Sequence, residues 1–180
     1  MTKLTVGSKL PAFDYATVYE SGLHIYDTLA KADKTALVFL RYYGCPFCQL
    51  DMHEYETHYS EITAHGGQFL VVLQSDPARL KEKLEGHTFP FTIICDPEMK
   101  LYKEFEIQAG KEMKDIAGPG VPAKALKVKK LGYTHGDYEG IETQLPATFA
   151  ITKDGTVTCA DYPAYVEQSA TAEQLIEILK

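Results

Sequence analysis

Short apolar runs alternate with stretches of helical periodicity along the first part of the chain. Three runs are apolar almost throughout and too short for ordinary helices, which is typical of strands buried on both faces of a parallel sheet: 36–40, 69–73 and 91–95. The periodicity and the proline positions predict a helix after each of these runs, over 46–65, 77–84 and 97–105. Strands and helices that alternate in this way predict an α/β fold.

The rest of the chain is predicted to contain two β-hairpins, a long irregular segment and a final helix. Residues 15–26 are expected to form an N-terminal hairpin. From about 106 to 144 the pattern dissolves into Gly- and Lys-rich sequence, and a loop of that length is uncommon unless it is functional or disordered. A second hairpin is predicted over 147–151 and 156–160, followed by a helix over 172–180.

The segment Cys45-Pro-Phe-Cys48 lies between the first predicted buried strand and the first long helix. Cys48 begins the apolar stripe of that helix, which continues through Met52, Tyr55, Tyr59 and Ile62. Pro46 suits the first helical position, so we expect Cys45 to lie just before the first turn with its sulfur exposed. This geometry predicts a redox pair in which Cys45 attacks and Cys48 resolves.

Reactivity of Cys45 at neutral pH requires a lowered pKa. A free thiol with a pKa of about 8.5 is only about 3% ionised at pH 7, whereas a pKa of about 6.5 leaves roughly three quarters ionised. The difference corresponds to about 2.7 kcal/mol, and a helix dipole supplies at most about 2 kcal/mol. The N–H groups of the first helical turn and the cation Arg41, four residues earlier, are the candidates for the remainder.

The alternative for two cysteines at this spacing is half of a zinc site. Such sites usually need a second pair of ligands, and Cys95 and Cys159 have no companion at ligand spacing, so no metal site is expected. Both are expected to pack as small core residues, with a role for one of them as a third, resolving thiol as the alternative.

Length and charge restrict the class of protein further. With 180 residues and 45% hydrophobic content, a single domain over 1–180 is expected. The net charge of −7 argues against nucleic acid and anionic membranes as partners. The N-terminus lacks an apolar signal segment, so we expect a cytoplasmic protein, and in a reducing compartment a Cys-x-x-Cys pair is more readily catalytic than structural.

Four segments follow one another in a specific order: Gly7–Phe13, Phe39–Cys48, Phe89–Pro97, and Leu145–Phe149 with Lys153-Asp-Gly155. In that order they resemble the alkyl hydroperoxide reductase C and thiol-specific antioxidant proteins, a peroxiredoxin-like branch of the thioredoxin fold. The resemblance implies a thioredoxin-like α/β fold with a central mixed β-sheet flanked by helices. The N-terminal hairpin would then be an extension, and 107–144 an insertion.

The resemblance also implies residues that meet the substrate. Pro146 matches the cis-proline loop of thioredoxin-like proteins, where backbone at Leu145 and Pro146 would lie beside the cysteines and meet an extended substrate. The residues that flank the cysteines are expected to position substrate as well: Arg41, Tyr43, Pro46 and Phe47. For Tyr43, simple packing is the alternative.

Departures from the family pattern bear on the reaction. Members that reduce peroxides carry Pro-x-x-x-Thr/Ser-x-x-Cys and a distant arginine. Aligned on Cys45, the hydroxyl position is Tyr42, the proline position is Val38, and the arginine falls at Pro146; alignment on Cys48 fails too. The departures favour dithiol–disulfide exchange, which needs only the pair, the helix end and the proline loop, and leave peroxidase chemistry as the alternative.

The Pro-Phe dipeptide is similar to that of glutaredoxins, which leaves a glutathione-specific role as a further alternative. Phe39 stands where thioredoxin keeps a buried acid, so the sequence offers no visible proton acceptor for Cys48. Within the insertion, His135-Gly-Asp-Tyr138 is interpreted as a turn, with an approach to the active site as the alternative. A group of four lysines is interpreted as a solvated loop, with an acidic partner as the alternative: Lys124, Lys127, Lys129 and Lys130.

We therefore predict a dithiol-dependent oxidoreductase of antioxidant type that cycles between a Cys45–Cys48 dithiol and disulfide. No cofactor is expected within the chain, because an external thiol or dithiol such as glutathione or thioredoxin would supply the electrons. The expected substrates are oxidised protein or small-molecule thiols, with hydroperoxides in the peroxidase alternative, and the protein is expected to be a monomer or homodimer. The hypothesis from another class is a redox-sensing binding module.

Overall fold

A mixed β-sheet forms the centre of the chain, and a computed structural model describes residues 1–180. The strands are β1 (Asp14–Tyr15), β2 (Leu23–His24), β3 (Lys34–Phe39), β4 (Gln68–Leu73), β5 (Thr92–Cys95), β6 (Ala147–Thr152) and β7 (Val157–Asp161). The helices are α1 (Ile25–Leu29), α2 (Pro46–Thr57), α3 (Tyr59–Ile62), α4 (Pro77–Leu84), α5 (Lys100–Glu104), α6 (Met113–Ile116), α7 (Val121–Leu131) and α8 (Ala172–Leu179).

Five strands make up the main sheet, in the order β5-β4-β3-β6-β7. The central strand β3 pairs in parallel with β4 and antiparallel with β6, while β4 pairs in parallel with β5. The outer strand β7 pairs antiparallel with β6. The short strands β1 and β2 form a separate antiparallel hairpin. The predicted α/β class with a central mixed sheet is confirmed.

Side chains that alternate along β3 enter two separate cores, one on each face of the sheet. Val38 packs in the core that holds Cys48 and the other buried stripe residues of α2. Leu37 and Phe39 pack in the opposite core, where Phe39 makes an edge contact with Phe149 at a ring-centroid distance of 5.7 Å. The apolar stripe thus holds α2 against the middle of the sheet, as its spacing predicted.

Three predicted boundaries are corrected. The helix expected over 46–65 is divided, because α2 ends at Thr57 and His58 adopts a non-helical backbone (φ −102°, ψ 16°) before α3. The helix expected over 97–105 begins only at Lys100, since the carboxylate of Asp96 accepts hydrogen bonds from the first two helical N–H groups. The N-terminal hairpin is shorter than predicted, because α1 begins at Ile25.

The predicted long loop over 106–144 is wrong in its middle. This segment contains α6 and the eleven-residue helix α7, which packs against α2. Proline in the first turn suits the start of α7, and Gly132 ends it in the left-handed conformation (φ 76°) that glycine adopts without steric cost. The four lysines of the insertion therefore lie on a helix and not in a loop.

The predicted cis bond before Pro146 is also wrong. All peptide bonds are trans, so the Leu145–Pro146 bond adopts the isomer that X-Pro bonds favour by about 0.5–1 kcal/mol. Pro146 immediately precedes β6, as an ordinary proline at the start of a strand does.

None of the helices combines the length and the apolar content needed to span a bilayer.

Candidate active site

The two cysteines lie at the N-terminus of α2, where this helix follows the central strand. Cys45 is the N-cap residue with an extended backbone, and Pro46 occupies the first helical position, as predicted. The backbone N–H of Cys48 donates to the sulfur of Cys45 at 3.4 Å, and the backbone N–H of Arg41 donates to the sulfur of Cys48 at the same distance. Both sulfurs therefore accept hydrogen bonds from N–H groups that the local fold directs at them.

The predicted exposure of Cys45 is wrong, since this residue is completely buried. Residues 133–142, which we call the covering segment, pack over Tyr42 and Gly44, just before Cys45 in the chain. The N–H of Gly136 donates to the carbonyl oxygen of Gly44 at 2.8 Å, and His135 Nε2 lies 3.0 Å from the hydroxyl of Tyr42. The alternative interpretation of the His135 region, an approach to the active site, is thus the one that the structure supports.

The covering segment is also fastened to the helix α4 and the end of β4. Lys83 of α4 lies 3.2 Å from the carboxylate of Asp137 and 3.7 Å from that of Glu139. Glu139 is itself buried and accepts a hydrogen bond of 2.8 Å from the hydroxyl of Ser75. These contacts hold the segment over the N-terminus of α2.

Arg41 is the cation beside Cys45, and the structure shows the orientation of its side chain, which the sequence could not predict. Its Nη2 donates to the sulfur of Cys45 at 2.9 Å, and its Nη1 donates to the carbonyl oxygen of Glu142 at 2.7 Å. The residue is only 6% exposed, and its buried Nε has no hydrogen-bond partner. The covering segment therefore holds the guanidinium against the thiol.

The environment separates the acidities of the two thiols. Burial alone raises the pKa of Cys45, but the hydrogen bonds from Cys48 and the charge and hydrogen bond of Arg41 outweigh burial and lower the pKa to about 6. A thiol with this pKa is about nine-tenths ionised at pH 7. Burial first, and then the neighbouring Cys45, raise the pKa of Cys48 well above its ordinary value. One thiol is thus prepared as a thiolate and the other remains protonated.

The remaining predicted site residues divide into two groups. Arg41, Phe47 and Pro146 join Cys48 around one small cavity of about 10 Å³. Tyr43 lies apart, in a cavity lined by His53, Tyr133 and neighbouring residues, which fits the packing alternative for this tyrosine.

The backbone around Leu145 is already engaged within the protein. Its N–H donates to the carbonyl oxygen of Gln108 at 3.1 Å, and its carbonyl oxygen accepts from the side chain of Gln144 at 3.3 Å. An extended substrate would have to displace these bonds to pair with the backbone here.

One functional candidate, Asp51, escaped sequence reasoning, and Lys124 was named there without its partner. Asp51, three residues after Cys48 on α2, forms an ion pair with Lys124 of α7. The spacing from Cys48 was visible, but the pairing was not, because α7 was not predicted.

The other two cysteines show no sign of reactivity. Burial raises the pKa of Cys95 to about 12 and also raises the pKa of Cys159, so both are protonated at neutral pH.

Comparison with known proteins identifies the family. The model of the AhpC/TSA family matches residues 6–160. The chain belongs to the AhpC/TSA family. The predicted resemblance is confirmed, and the protein is a thiol-dependent oxidoreductase of this family. A search of curated proteins found no match to the sequence.

Three solved structures share this fold at low sequence identity. Peroxiredoxin 6 of Arenicola marina, a cysteine-to-serine mutant, is 14% identical with a TM-score of 0.72; the match covers 98% of this chain and 72% of that one. Peroxidoxin BcpB of Mycobacterium tuberculosis is 13% identical (TM-score 0.68; 99% and 97% covered). The thiol peroxidase of Chromobacterium violaceum is 11% identical (TM-score 0.65; 98% and 87% covered).

Proposed function

We propose that this AhpC/TSA protein is a thiol–disulfide oxidoreductase in which Cys45 attacks and Cys48 resolves. The observation that carries the proposal is the pair of hydrogen bonds to the sulfur of Cys45, from the guanidinium of Arg41 at 2.9 Å and from the N–H of Cys48 at 3.4 Å. These contacts lower the pKa of Cys45 to about 6, whereas burial raises the pKa of Cys48. The thiolate is the nucleophile in disulfide exchange, so this difference in pKa supports attack by Cys45 and resolution by Cys48.

The first step is attack of the Cys45 thiolate on a substrate disulfide. A bond forms between the sulfur of Cys45 and one substrate sulfur, the substrate S–S bond breaks, and the other substrate sulfur leaves as a thiolate. The N–H of Cys48 and the guanidinium of Arg41 stabilise the attacking thiolate before the reaction, at 3.4 Å and 2.9 Å respectively.

The second step releases the product. Cys48 loses its proton and attacks the sulfur of Cys45, the mixed disulfide breaks, and the second substrate sulfur leaves as a thiolate. The resulting Cys45–Cys48 disulfide is then reduced by an external thiol or dithiol such as glutathione or thioredoxin. We propose that this cycle runs in the cytoplasm, where such reductants keep thiols reduced.

Thiol peroxidase chemistry is the second candidate, and the enclosure of Cys45 favours it. A small hydroperoxide reaches a completely buried sulfur more easily than a protein disulfide does, and Arg41 offers a guanidinium 2.9 Å from that sulfur. In this cycle the thiolate attacks one peroxide oxygen, the O–O bond breaks, and the other oxygen takes a proton from solvent and leaves as an alcohol, or as water when the substrate is hydrogen peroxide. Cys45 is then a sulfenic acid; Cys48 loses its proton and attacks the sulfur of Cys45, the S–O bond breaks, and the oxygen leaves as water. Against it, the hydroxyl of Tyr42 is bonded to His135 and offers no free donor at the Thr/Ser position.

Turnover assays separate the two candidates. The wild type, Cys45→Ser and Cys48→Ser are compared for steady reduction of insulin disulfides and for consumption of hydrogen peroxide, with a regenerating dithiol in both cases; Cys159→Ser is the matched control. Disulfide exchange predicts steady insulin reduction that both active-site variants abolish and the control retains. Peroxide consumption without insulin reduction assigns the protein to the peroxidase class, and neither activity contradicts both candidates.

A further inference from the structure

A largely buried ion pair lies one helical turn beyond Cys48. Asp51 follows Cys48 by three residues on α2, so both side chains lie on the same face of the helix. The Nζ of Lys124 lies 2.7 Å from Oδ1 and 2.8 Å from Oδ2 of Asp51, and the hydroxyl of Ser169 donates to Oδ2 as well. Each side chain of the ion pair is only 12% exposed.

Asp51 lines two cavities. It shares with Cys48 the cavity of about 10 Å³, a volume at the lower limit of what holds one water molecule. Asp51, Lys124 and Ser169 also line a cavity of about 430 Å³ that is open to solvent. Asp51 thus lines both the small cavity beside the buried thiol and the larger cavity open to solvent, as a group that moves a proton between them must.

We propose that Asp51 accepts the proton of the Cys48 thiol when Cys48 resolves the mixed disulfide, and that Lys124 and Ser169 are positioning residues that hold its carboxylate. This inference rests on the proposed Cys45–Cys48 cycle and supplies the proton acceptor that the sequence did not reveal.

The carboxylate of Asp51 takes the proton of Cys48, directly or through one water in the small cavity, and the sulfur of Cys48 attacks the sulfur of Cys45. The Cys45–Cys48 bond forms while the bond between Cys45 and the substrate sulfur breaks, and that sulfur leaves with the electron pair. The proton on Asp51 then passes to solvent through the larger cavity, which restores the carboxylate.

Electrostatics explain why an acceptor is needed. Burial and the thiolate of Cys45 raise the pKa of Cys48, so this thiol is protonated at neutral pH. In the mixed disulfide the charge of Cys45 is gone, and proton loss from Cys48 becomes easier. Cys45, Arg41 and Asp51 act on the pKa of Cys48, and the charge of Cys48 in turn raises the pKa values of three buried tyrosines, Tyr42, Tyr55 and Tyr102.

Two opposing effects act on the pKa of Asp51. Burial raises the pKa of Asp51, whereas the charge and hydrogen bond of Lys124 and the hydrogen bond of Ser169 lower it, and Glu54 adds a like charge. Tyr55, on the same helix, also feels the charge of Asp51. A carboxyl with a raised pKa is a stronger base when ionised and is better matched to proton transfer near neutral pH.

Stability alone is a weak reason for this ion pair. The desolvation of two charges offsets most of their attraction, so a buried pair often contributes no more than apolar side chains of similar size. A purely structural pair would only tether α7 to α2, and its removal would change the reactions of Cys45 and Cys48 together. A proton acceptor affects only the second step of the cycle, and it does so with a pH dependence.

The two steps can be timed with dithiobis(nitrobenzoate) in stopped flow, in a Cys159→Ser background that removes the only partly exposed cysteine. Attack by Cys45 releases one coloured thiolate, and resolution by Cys48 releases a second. We expect Asp51→Asn to leave the first phase within about twofold of wild type and to slow the second by about tenfold or more at pH 7. Asp154→Asn, the same substitution in the exposed ion pair with Lys9, is the matched control and should change neither phase.

The outcomes distinguish this inference from the cycle on which it rests. A second phase of equal rate in Asp51→Asn and wild type overturns the role of Asp51 and leaves the cycle intact. A wild type that releases no second equivalent overturns both. If Asp51→Asn does not fold, Lys124→Met decides: loss of the cation should move the pH at half-maximal second-phase rate upward, and an unchanged pH profile overturns the inference.

Discussion

The guanidinium of Arg41 donates a hydrogen bond of 2.9 Å to the sulfur of Cys45. The same guanidinium is held by the carbonyl oxygen of Glu142, at the end of the covering segment. A residue next to the central strand is therefore oriented by a segment about one hundred positions later in the chain. The pKa of Cys45 depends on both Arg41 and the covering segment, because the hydrogen bond and the charge of Arg41 favour the thiolate against the cost of burial.

Replacement of Arg41 by methionine should suppress the thiolate. The hydrogen bond and the charge are lost while the burial that opposes ionisation remains, so the pKa of Cys45 rises from about 6. We expect the rate of alkylation by iodoacetamide at pH 7 to fall about five- to tenfold. Arg79→Met, in the exposed and only other arginine, is the matched control. Equal alkylation rates in Arg41→Met and wild type would show that Arg41 does not activate Cys45.

The stability of the reduced protein should rise with pH between about 6 and 8. The pKa of Cys45 is about 6 in the folded protein against 9.0 ordinarily, so the folded state binds fewer protons in this window. The stabilisation is complete above the ordinary pKa and is lost as the pH falls through about 6. Cys48, whose pKa is raised, stays protonated in the folded state and contributes little in this window, because the unfolded thiol is mostly protonated there too.

This contribution is on the order of 2 kcal/mol at pH 8 and is measured by urea unfolding with excess reductant. The difference between wild type and Cys45→Ser isolates it from the other titrating groups. We expect the wild type to gain stability relative to Cys45→Ser as the pH rises from 6 to 8. Parallel changes in the two proteins would contradict a lowered pKa for Cys45.

A methyl group at residue 44 should displace the covering segment. A Cβ on Gly44 would overlap the backbone carbonyl of Asp137 and lie 3.0 Å from its nitrogen, and backbone atoms cannot move aside cheaply. We expect Gly44→Ala to accelerate the reaction of Cys45 with a bulky maleimide far more than with iodoacetamide, by a factor on the order of ten.

Gly67→Ala is the control for general destabilisation, since its Cβ would press on the side chain of Leu179 at 3.0 Å, away from the thiols. It should not change the ratio of the two alkylation rates. If Gly44→Ala leaves that ratio unchanged as well, the covering segment does not limit access to Cys45.

The sequence predicts the elements whose signals are local. The helix α4 was predicted with its observed bounds, because Pro77 occupies its first position and buried Leu80 and Leu84 mark one face. The helix α7 was missed because its pattern is weak: Val128 is its only buried residue, while Leu126 and Leu131 are 55% and 48% exposed. A helix that buries so little leaves no apolar periodicity to detect.

The features of the candidate site likewise divide into those that neighbouring residues predict and those that depend on distant residues. The order of the two thiols and the position of Cys45 at the N-cap follow from neighbouring residues and were predicted. The burial of Cys45 and the pairing of Asp51 with Lys124 depend on residues 73 or more positions away, which meet only in the folded chain. Arg41 is an intermediate case. The sequence places it near Cys45, whereas the direction of its side chain is set by the hydrogen bond to Glu142.

The identity of the disulfide formed during turnover shows whether Cys45 and Cys48 are the redox pair. Protein quenched by acid after reaction with one equivalent of a disulfide substrate is digested and analysed by mass spectrometry. We predict a linkage between Cys45 and Cys48, with Cys95 and Cys159 still reduced. A substrate sulfur that stays on Cys45, or a linkage that leaves out Cys48, would contradict the account.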